Sequence, residues 1–513
     1  MGANVVAIVC DMGNRGLLSA LGFCTRKDSL KWCIPNPVNP DVKVWCVPDP
    51  VHVFKSMKEC LCANRYIQLH QQVVAEYGLP SDMVDIEHIE WLEKFQRDDS
   101  LQLVPGLTLK DLSSSHFSKM KVKSSLKVVN PRTSAALKYL VVKGLVPEAF
   151  ETTAWFLKVM NRWFQLMSSR NPQCALGLRK EEVHTQALEH LRLVISVFKF
   201  MEIPGGWKPV QSHVIFATEA ILEIENHLIN QKKYEFLKTG TFTTDVVENI
   251  NSCIRIRNPN PTPLECKTRL KHIAISQFQM KINSSSYNYD GAEDYVDLLV
   301  QSNSSSHSDP QHDFDFSSLK WIGCVPDNRK SHEDDVCYRI CGYVVISLNR
   351  RRILLCKDCI QKLRHSKETP HPHSLFLMLT DFIPGAQFPV IDEVFQLLRL
   401  IEHNLIVWLP KIRHLERLDL LIESIVLPAT APFHLPTCHS VKDKLVKAFT
   451  VMRFRQLALS DLSSTEKNSS SSLASKTAGG HYLAHNYRRP TSQITPRRKQ
   501  PAASLKRTIL YFF

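Results

Sequence analysis

Two short apolar stretches near the start of the chain, VVAIVCD at residues 5–11 and VKVWCVPDP at residues 42–50, decide the fold class. Each is an apolar run of strand length, and the two runs lead into Asp11 and Asp49. Runs of this kind are typical of strands that are buried on both faces of a parallel sheet. Functional side chains gather where such strands end, so the sequence predicts an α/β core with candidate functional acids at one edge.

Overall composition limits the class of protein. The 513 residues are 44% hydrophobic and 22% charged, which is close to globular averages and excludes wholesale disorder. No apolar run approaches the ~18 residues of a membrane helix, so no membrane partner is expected. The N-terminus also lacks the basic region of a signal peptide. The 15 cysteines therefore predict reduced thiols or metal ligands rather than disulfides.

The net charge of +14 comes mainly from the end of the chain. No acidic residue follows Glu466, whereas nine basic residues do: Lys467, Lys476, Arg488, Arg489, Arg497, Arg498, Lys499, Lys506 and Arg507. The charge of the whole chain is therefore a poor argument for a nucleic-acid-binding core. The basic tail favours a nuclear import signal over a phosphate-binding arm or a merely solvated end, and so predicts a nuclear protein.

Three acidic residues have the arrangement of a phosphoryl-transfer site. Asp245 and Glu248 lie three positions apart on one face of a predicted helix that Thr244 caps, and Asp11 ends the first strand. Clusters of carboxylates hold two cations about 3.5–4 Å apart in two-metal phosphoryl transfer. Acids at these positions also serve as helix caps or helix-dipole partners, so the spacing alone leaves both roles open.

Four blocks of sequence occur in a fixed order along the chain. They are VVAIVCDMGNRGLLSALGF (5–23), WCVPDPVHVFKSMKECL (45–61), KMKVKSSLKVVNPRTSAALKYL (119–140) and FLKTGTFTTDVVENINSCIRIRNPNPTPLECKTRLKHI (236–273). A later segment contains CGYVVISL (341–348) and CKDC (356–359). The ordered blocks resemble the P-element transposase family, whose members usually begin with a THAP zinc finger, and the later segment is similar to the C-terminal region of that family.

The resemblance implies an RNase H-like core with three essential acids, which uses Mg²⁺ for DNA cleavage and strand transfer. By motif match, Asp11 corresponds to the second acid, Glu248 to the third, and Asp245 to the acidic position one turn before Glu248. Asp49 and His52 match an Asp-x-Pro-His-like segment and are expected to support the site rather than to bind metal. The implied partners are DNA at the transposon ends and further copies of the chain.

The resemblance also predicts an incomplete enzyme. The family's opening strand, with its first catalytic aspartate, and the THAP finger have no counterpart in the sequence. A site that lacks one carboxylate is expected to bind Mg²⁺ poorly and to cleave DNA weakly. The chain is therefore predicted to be a truncated or decayed transposase, and the alternative is a domesticated, non-catalytic protein that binds DNA or other proteins.

The helical insertion of the family binds GTP through a Phe-Asp-x-Leu-Asn-Ser-Arg-like stretch, whose Asp and Asn contact guanine. The matching stretch here is FQLMSSR at residues 164–170, in which Gln165 replaces Asp and Ser168 replaces Asn. This departure predicts weak guanine selectivity. The remaining candidate cofactor-binding residues are Lys119, Lys121 and Asp245.

Four cysteines in the last third of the chain have the spacing of a zinc site. Cys337-x3-Cys341 is followed, after fourteen residues, by Cys356-x2-Cys359. Three histidines are alternative ligands: His365, His371 and His373. The other interpretation is that these cysteines are buried as small apolar residues, with Cys341 in a predicted strand.

The sequence thus predicts an α/β plus all-α fold, in which a large helical insertion interrupts a partial RNase H-like core. The predicted segments are a partial core (1–62), a GTP-binding-like helical insertion (63–238), the final RNase H-like helices (239–280), a linker (281–315), a C-terminal domain with the candidate zinc site (316–455) and a disordered basic tail (456–513). Capping signals at Thr262 predict the start of the last core helix.

Overall fold

The computed structural model describes residues 5–468 except 14, 113–121, 173, 178–180, 256–257, 280–315, 327–328, 352, 355, 367–368, 383–384, 414 and 416. These residues form two compact units. The first unit contains residues 5–95 and 106–279, and the second contains residues 96–105 and 316–468. Both units are rich in helices and contain few strands. The predicted linker lies outside the described residues, and so does the predicted basic tail from residue 469 onward. Residues 456–468, predicted to be disordered, are helical instead because the last helix extends to Asn468.

A three-stranded sheet opens the first unit. Its strands are β1 (Ala7–Cys10), β2 (Cys33–Pro35) and β3 (Lys43–Pro48), in the order β1-β3-β2. β1 pairs with β3 in parallel, whereas β2 is antiparallel to β3. The central strand β3 is buried along nearly its whole length, as expected for a continuous apolar run. Both predicted strands are therefore confirmed.

The rest of the first unit is mostly helical, as predicted. Its helices are α1 (Arg15–Ala20), α2 (Pro50–Asn64), α3 (Gln71–Tyr77), α4 (Ile86–Gln96), α5 (Leu109–Leu112), α6 (Val122–Val128), α7 (Pro131–Val142), α8 (Phe150–Met167), α9 (Glu181–Phe200), α10 (Pro209–Glu225), α11 (Asp245–Arg255) and α12 (Pro263–Gln279). Two short antiparallel pairs, which the pattern did not indicate, are β4 (Tyr66–Gln68) with β5 (Met83–Asp85) and β6 (Leu176–Gly177) with β7 (Phe236–Leu237). The predicted capping box is present, because Thr262 and Glu265 exchange side chain to backbone hydrogen bonds.

Helix α10 joins the helical insertion to the sheet. Phe216 of α10 is fully buried in one cluster with Leu18, Phe23 and Cys46. Further along the same helix, Glu223 accepts hydrogen bonds from the indole N–H groups of two sheet tryptophans and from a lysine: Trp32 at 2.8 Å, Trp45 at 2.9 Å and Lys43 at 3.3 Å. The sheet and the insertion therefore share one core within this unit.

Among the described residues of the second unit, helices joined by loops form the regular secondary structure. Its helices are α13 (Ser331–Arg350), α14 (Lys357–Lys362), α15 (Leu375–Leu379), α16 (Asp392–Ile412), α17 (Leu418–Leu421), α18 (Leu427–Ala429) and α19 (Val441–Asn468), with a π-helical segment at Ile422–Val426. Cys341 lies in α13, which corrects the predicted strand. The β-branched run after Cys341 suggested a strand, but the buried positions of α13 recur at helical spacing, as in Cys337, Cys341, Val344 and Leu348.

Residues 96–105 belong to the second unit because their polar groups bind α13 and the residue before it. The Asp99 carboxylate accepts hydrogen bonds from Lys330 at 2.5 Å and from His332 at 2.7 Å. Glu333 accepts three more from Ser100 and Leu101. Among the described helices of either unit, none is both long and apolar enough to cross a membrane.

Candidate metal centre

The parallel pair β1 and β3 brings two aspartates to one edge of the sheet. Cys10 is the register partner of Pro48, and the backbone N–H of Asp49 donates to the carbonyl of Cys10 at 3.1 Å. Asp11 and Asp49 are the residues that follow this last paired position. Because parallel strands end at the same edge, their side chains lie close together.

Asp49 is a buried acid that begins α2. Its Oδ1 accepts the backbone N–H of Val51 at 2.8 Å, and Pro50 occupies the first helical turn, where its missing N–H costs nothing. Its Oδ2 accepts from His52 Nδ1 at 2.8 Å and from the Thr244 hydroxyl at 2.5 Å. Burial alone would raise the pKa of Asp49, but the bonds from His52 and Thr244 outweigh it and hold the pKa below its ordinary value.

His52 connects the acids. Its Nδ1 lies 3.0 Å from Asp11 Oδ1 and 2.8 Å from Asp49 Oδ2, so the Nδ1–H is shared between two carboxylates. Its Nε2 lies 3.6 Å from Glu248 Oε1. The hydrogen bond to Asp49 raises the pKa of His52 above its ordinary value. We call Asp11, Asp49, His52 and Glu248 the sheet-edge centre.

Glu248 and Asp245 differ in their environment although both belong to α11. Glu248 is 44% exposed and lies next to His52. Asp245 is buried, and its carboxylate forms an ion pair with Arg170, just after α8. Gly240 permits this approach, because a Cβ there would lie 2.6 Å from Arg170 Cγ and 2.8 Å from the Ser168 carbonyl oxygen. The Asp245 ion pair therefore connects α11 to the residues after α8, whereas the Glu248 carboxylate lies at the sheet-edge centre.

The donor set of the centre fits a hard divalent cation. Within the described residues, one ligand atom each of Asp11, Asp49 and His52 lies within 4.8 Å of the others. Carboxylate oxygens suit Mg²⁺ or Mn²⁺, which also keep several waters, whereas His52 Nδ1 carries the proton shared by the two carboxylates. Asp11 is 60% exposed, which leaves room for those waters. Sequence reasoning treated Asp49 and His52 only as supporting residues, although the end of the second strand was a signal for them.

The two residues that replace the family's guanine-contacting Asp and Asn form hydrogen bonds to residues of their own helix. The Gln165 amide donates to the side chain of Asn161 at 2.9 Å. The Ser168 hydroxyl donates to the carbonyl of Phe164 at 2.6 Å. Lys119 and Lys121 lie outside the described residues, so the predicted phosphate contacts stay a prediction.

The structure brings together only two of the four predicted zinc ligands. Cys337 and Cys341 are fully buried on α13, one turn apart. Among the described residues, the group around Cys356 and Cys359 contains neither of them; it contains Cys438 and His439 instead. The three alternative histidines bond elsewhere: His365 to the Thr369 carbonyl, His371 to Asp392 and His373 to Asp335. The spacing predicted one half of the group and missed the half that lies about eighty residues later.

Comparison with known proteins shows what the chain is similar to. Residues 51–181 match the family model of the TNP-like, GTP-binding insertion domain. The Transposable element P transposase of Drosophila melanogaster is 22% identical over 288 residues, which are 54% of this chain and 36% of that protein. The chain thus spans about a third of the length of this curated relative.

A solved structure is also similar, the Drosophila P element transposase strand transfer complex. Its TM-score is 0.46 at 20% identity, and the match covers 54% of this chain and 61% of that chain. The likeness rests on the two sequence matches and on the order of the motifs. The chain is thus similar to P-element transposases, and part of it matches the GTP-binding insertion domain.

Proposed function

We propose that this protein is a DNA transposase-like phosphoryl-transfer protein whose catalytic chemistry, where retained, takes place at the sheet-edge centre of an RNase H-like core. The observation that carries the proposal is the convergence of three acids from separate parts of the chain. Asp11 and Asp49 arrive from parallel strands, and Glu248 arrives from a helix that follows the whole insertion. Such convergence of carboxylates is what metal-dependent phosphoryl transfer requires.

Each residue has a distinct part in this proposal. Asp49 is held by Val51 and Thr244, so its carboxylate is positioned before any ligand arrives. Asp11 and Glu248 are exposed and can contact a cation and its waters. The bound Mg²⁺ would neutralise charge on the transferred phosphate and activate the attacking oxygen. His52 holds a proton at Nδ1 between Asp11 and Asp49.

The chain is expected to perform this chemistry poorly. Its His52 lies between the carboxylates and already neutralises part of their charge, so a cation has to compete with it. The proposed substrate is DNA, bound as transposon ends by more than one copy of the chain. GTP binding by the insertion is proposed to be weak, because the side chains of Gln165 and Ser168 are engaged within α8.

Metal binding and nicking by the purified chain test the proposal. Mn²⁺ titration followed by electron paramagnetic resonance should detect a Mn²⁺ site, and Asp11→Asn and Glu248→Gln should each weaken Mn²⁺ binding. Weak Mn²⁺-dependent nicking of supercoiled plasmid should decrease in the same two variants. The matched control is Asp41→Asn, since Asp41 is an exposed acid of the same unit that lies outside the centre. Nicking that survives both substitutions would refute the proposal.

A non-catalytic derivative is the second candidate function. The observation that favours it concerns the hydrogen bonds of Asp49. Both carboxylate oxygens already accept hydrogen bonds, from Val51, His52 and Thr244, so a cation would have to compete with them. DNA binding without any Mn²⁺ binding or nicking would establish this alternative. Nuclear localisation is proposed from the basic tail, and a reporter fused to residues 467–513 should accumulate in the nucleus if that is correct.

A further inference from the structure

A second group of metal-ligand side chains lies in the other unit, and its chemistry differs from that of the acids. Cys356 and Cys359 flank the start of α14, and Cys438 and His439 lie just before α19. We call these four residues the cysteine cluster. One ligand atom of each lies within 4.8 Å of all the others. We propose that the cysteine cluster is a structural zinc site that fastens the start of α19 to α14.

The distances between the ligand atoms support a shared ion. Cys438 Sγ lies 3.5 Å from Cys356 Sγ and 3.3 Å from Cys359 Sγ, and His439 Nδ1 lies 3.5 Å from Cys359 Sγ. Tetrahedral zinc with bonds of about 2.3 Å to sulfur and about 2.0 Å to nitrogen has ligand-to-ligand edges of about 3.5–3.8 Å. The sulfurs are also too far apart for a disulfide, whose bond is about 2.05 Å.

The chemistry of the ligand set selects zinc. Three thiolates and one imidazole are soft and borderline donors, which favour Zn²⁺ over Mg²⁺ or Ca²⁺. Four protein ligands close the coordination shell, as in structural rather than catalytic zinc sites. With Nδ1 as the ligand atom, His439 would bind as a neutral ring that keeps its proton on Nε2.

The three sulfurs of the cluster lie close together, because Cys438 Sγ is within 3.5 Å of both Cys356 Sγ and Cys359 Sγ. Three thiolates cannot all form at this distance without a positive ion between them, because like charges so close oppose ionisation. Zinc would remove that penalty while the thiol protons pass to solvent.

The position of the cluster gives the site its structural role. Cys359 and Cys438 are 79 residues apart in the chain, and the intervening segment includes the long helix α16. Beside the cluster, Lys444 of α19 donates to the carbonyl of Ile353 at 3.2 Å. Further along α19, Arg453 forms a buried ion pair with Glu402 of α16. Zinc would thus hold the beginning of a helix whose middle is already fixed in the core.

The test is metal analysis of the full chain purified with zinc under reducing conditions. We expect stoichiometric zinc by mass spectrometry, and cobalt reconstitution should give the visible absorption of a tetrahedral site with sulfur ligands. Cys438→Ser and His439→Ala should lower zinc affinity more than about a hundredfold, since loss of a hydrogen-bond partner of a metal ligand alone costs about 10–100-fold. The matched control, Cys324→Ser, changes an exposed cysteine of the same unit and should leave zinc unchanged.

A further variant separates lost ligands from lost folding. His439→Cys should keep the metal and shift the cobalt spectrum towards that of a four-sulfur site, which a misfolded protein would not do. Absence of zinc and of the cobalt spectrum in the wild-type chain would overturn the proposal. So would a disulfide between Cys359 and Cys438 in protein kept reduced, or retention of zinc by both Cys438→Ser and His439→Ala.

Discussion

The sheet-edge centre and the cysteine cluster are built in opposite ways. Regular secondary structure positions the acids, because paired strands and helix α11 determine where Asp11, Asp49 and Glu248 lie. Loops at helix starts position Cys356, Cys438 and His439, whose side chains contact the other members of the cysteine cluster. Hydrogen bonds already hold the acids in place, whereas the proposed zinc would hold the cysteine cluster together. This difference predicts that metal removal affects the two units unequally.

Zinc removal should have the largest effect. We expect a strong chelator to destabilise the second unit by at least about 4 kcal/mol, which is the linkage energy of a ligand present at a thousand times its dissociation constant. Differential scanning calorimetry should show the transition of that unit shift or disappear, while the transition of the first unit stays in place. Equal shifts of both transitions would contradict the proposed difference between the two units. Added Zn²⁺ should restore the original transition of the second unit.

Phe216→Ala should disrupt the sheet-edge centre through its scaffold. Phe216 is fully buried against the sheet, so its truncation leaves a cavity and should cost about 3–5 kcal/mol. Chemical denaturation of the first unit measures this loss, and Mn²⁺ binding at the centre should weaken in parallel. The control is Phe200→Ala, because Phe200 is 46% exposed on α9. If Phe216→Ala leaves Mn²⁺ binding intact, the centre does not depend on the packing of the sheet.

Acid should destabilise the second unit through Asp99. Burial alone would raise the pKa of Asp99, but the hydrogen bonds from His332 and Lys330 outweigh it and hold that pKa below its ordinary value of 3.8. A lowered carboxyl pKa stabilises the fold above the unfolded pKa, and this stability is lost as pH falls through the folded value. Asp99→Asn should cost about 1.5–3 kcal/mol at pH 7, because charged hydrogen bonds are lost.

The difference between wild type and Asp99→Asn should shrink as pH falls below about 4, where the wild-type carboxylate becomes protonated. Zinc release at low pH affects both proteins alike and cancels in this difference. Urea unfolding across the pH range, monitored by a probe in the second unit, provides the measurement. A gap that stays constant throughout acid titration would show that the charge of Asp99 does not stabilise the fold.

The sequence predicted the sheet-edge centre better than the cysteine cluster for a physical reason. A buried strand is visible in the sequence as an apolar run, and the end of the run marks the end of the strand. The amino-acid pattern alone therefore places Asp11 and Asp49 at one edge of a sheet. Zinc ligands need only meet in space, and Cys438 and His439 are adjacent residues that follow no recognised spacing. The same reasoning did not predict the ion pair between Asp245 and Arg170. A position on one helix face shared with Glu248 says nothing about partners outside the helix.

The smallest expected effect concerns a single hydrogen bond in the sheet-edge centre. The Thr244 hydroxyl donates to Asp49 Oδ2, and Thr244→Val removes this bond while keeping the shape of the side chain. The loss should cost at most about 1.5 kcal/mol, the lower end of the range for hydrogen bonds to charged groups, because His52 and Val51 continue to bind Asp49. Mn²⁺ affinity should therefore change by less than about tenfold, far less than the zinc affinity in Cys438→Ser.

Thr241→Val is the matched control for that change, since the exposed Thr241 hydroxyl donates only to the nearby Lys238 carbonyl. Calorimetric titration with Mn²⁺ and urea unfolding of the three proteins give both quantities. A large loss of Mn²⁺ affinity in Thr244→Val with unchanged stability would mean that one bond, rather than the strands, orients Asp49. The sheet-edge centre would then resemble the cysteine cluster in depending on a few local contacts, and the contrast between the two units would not hold.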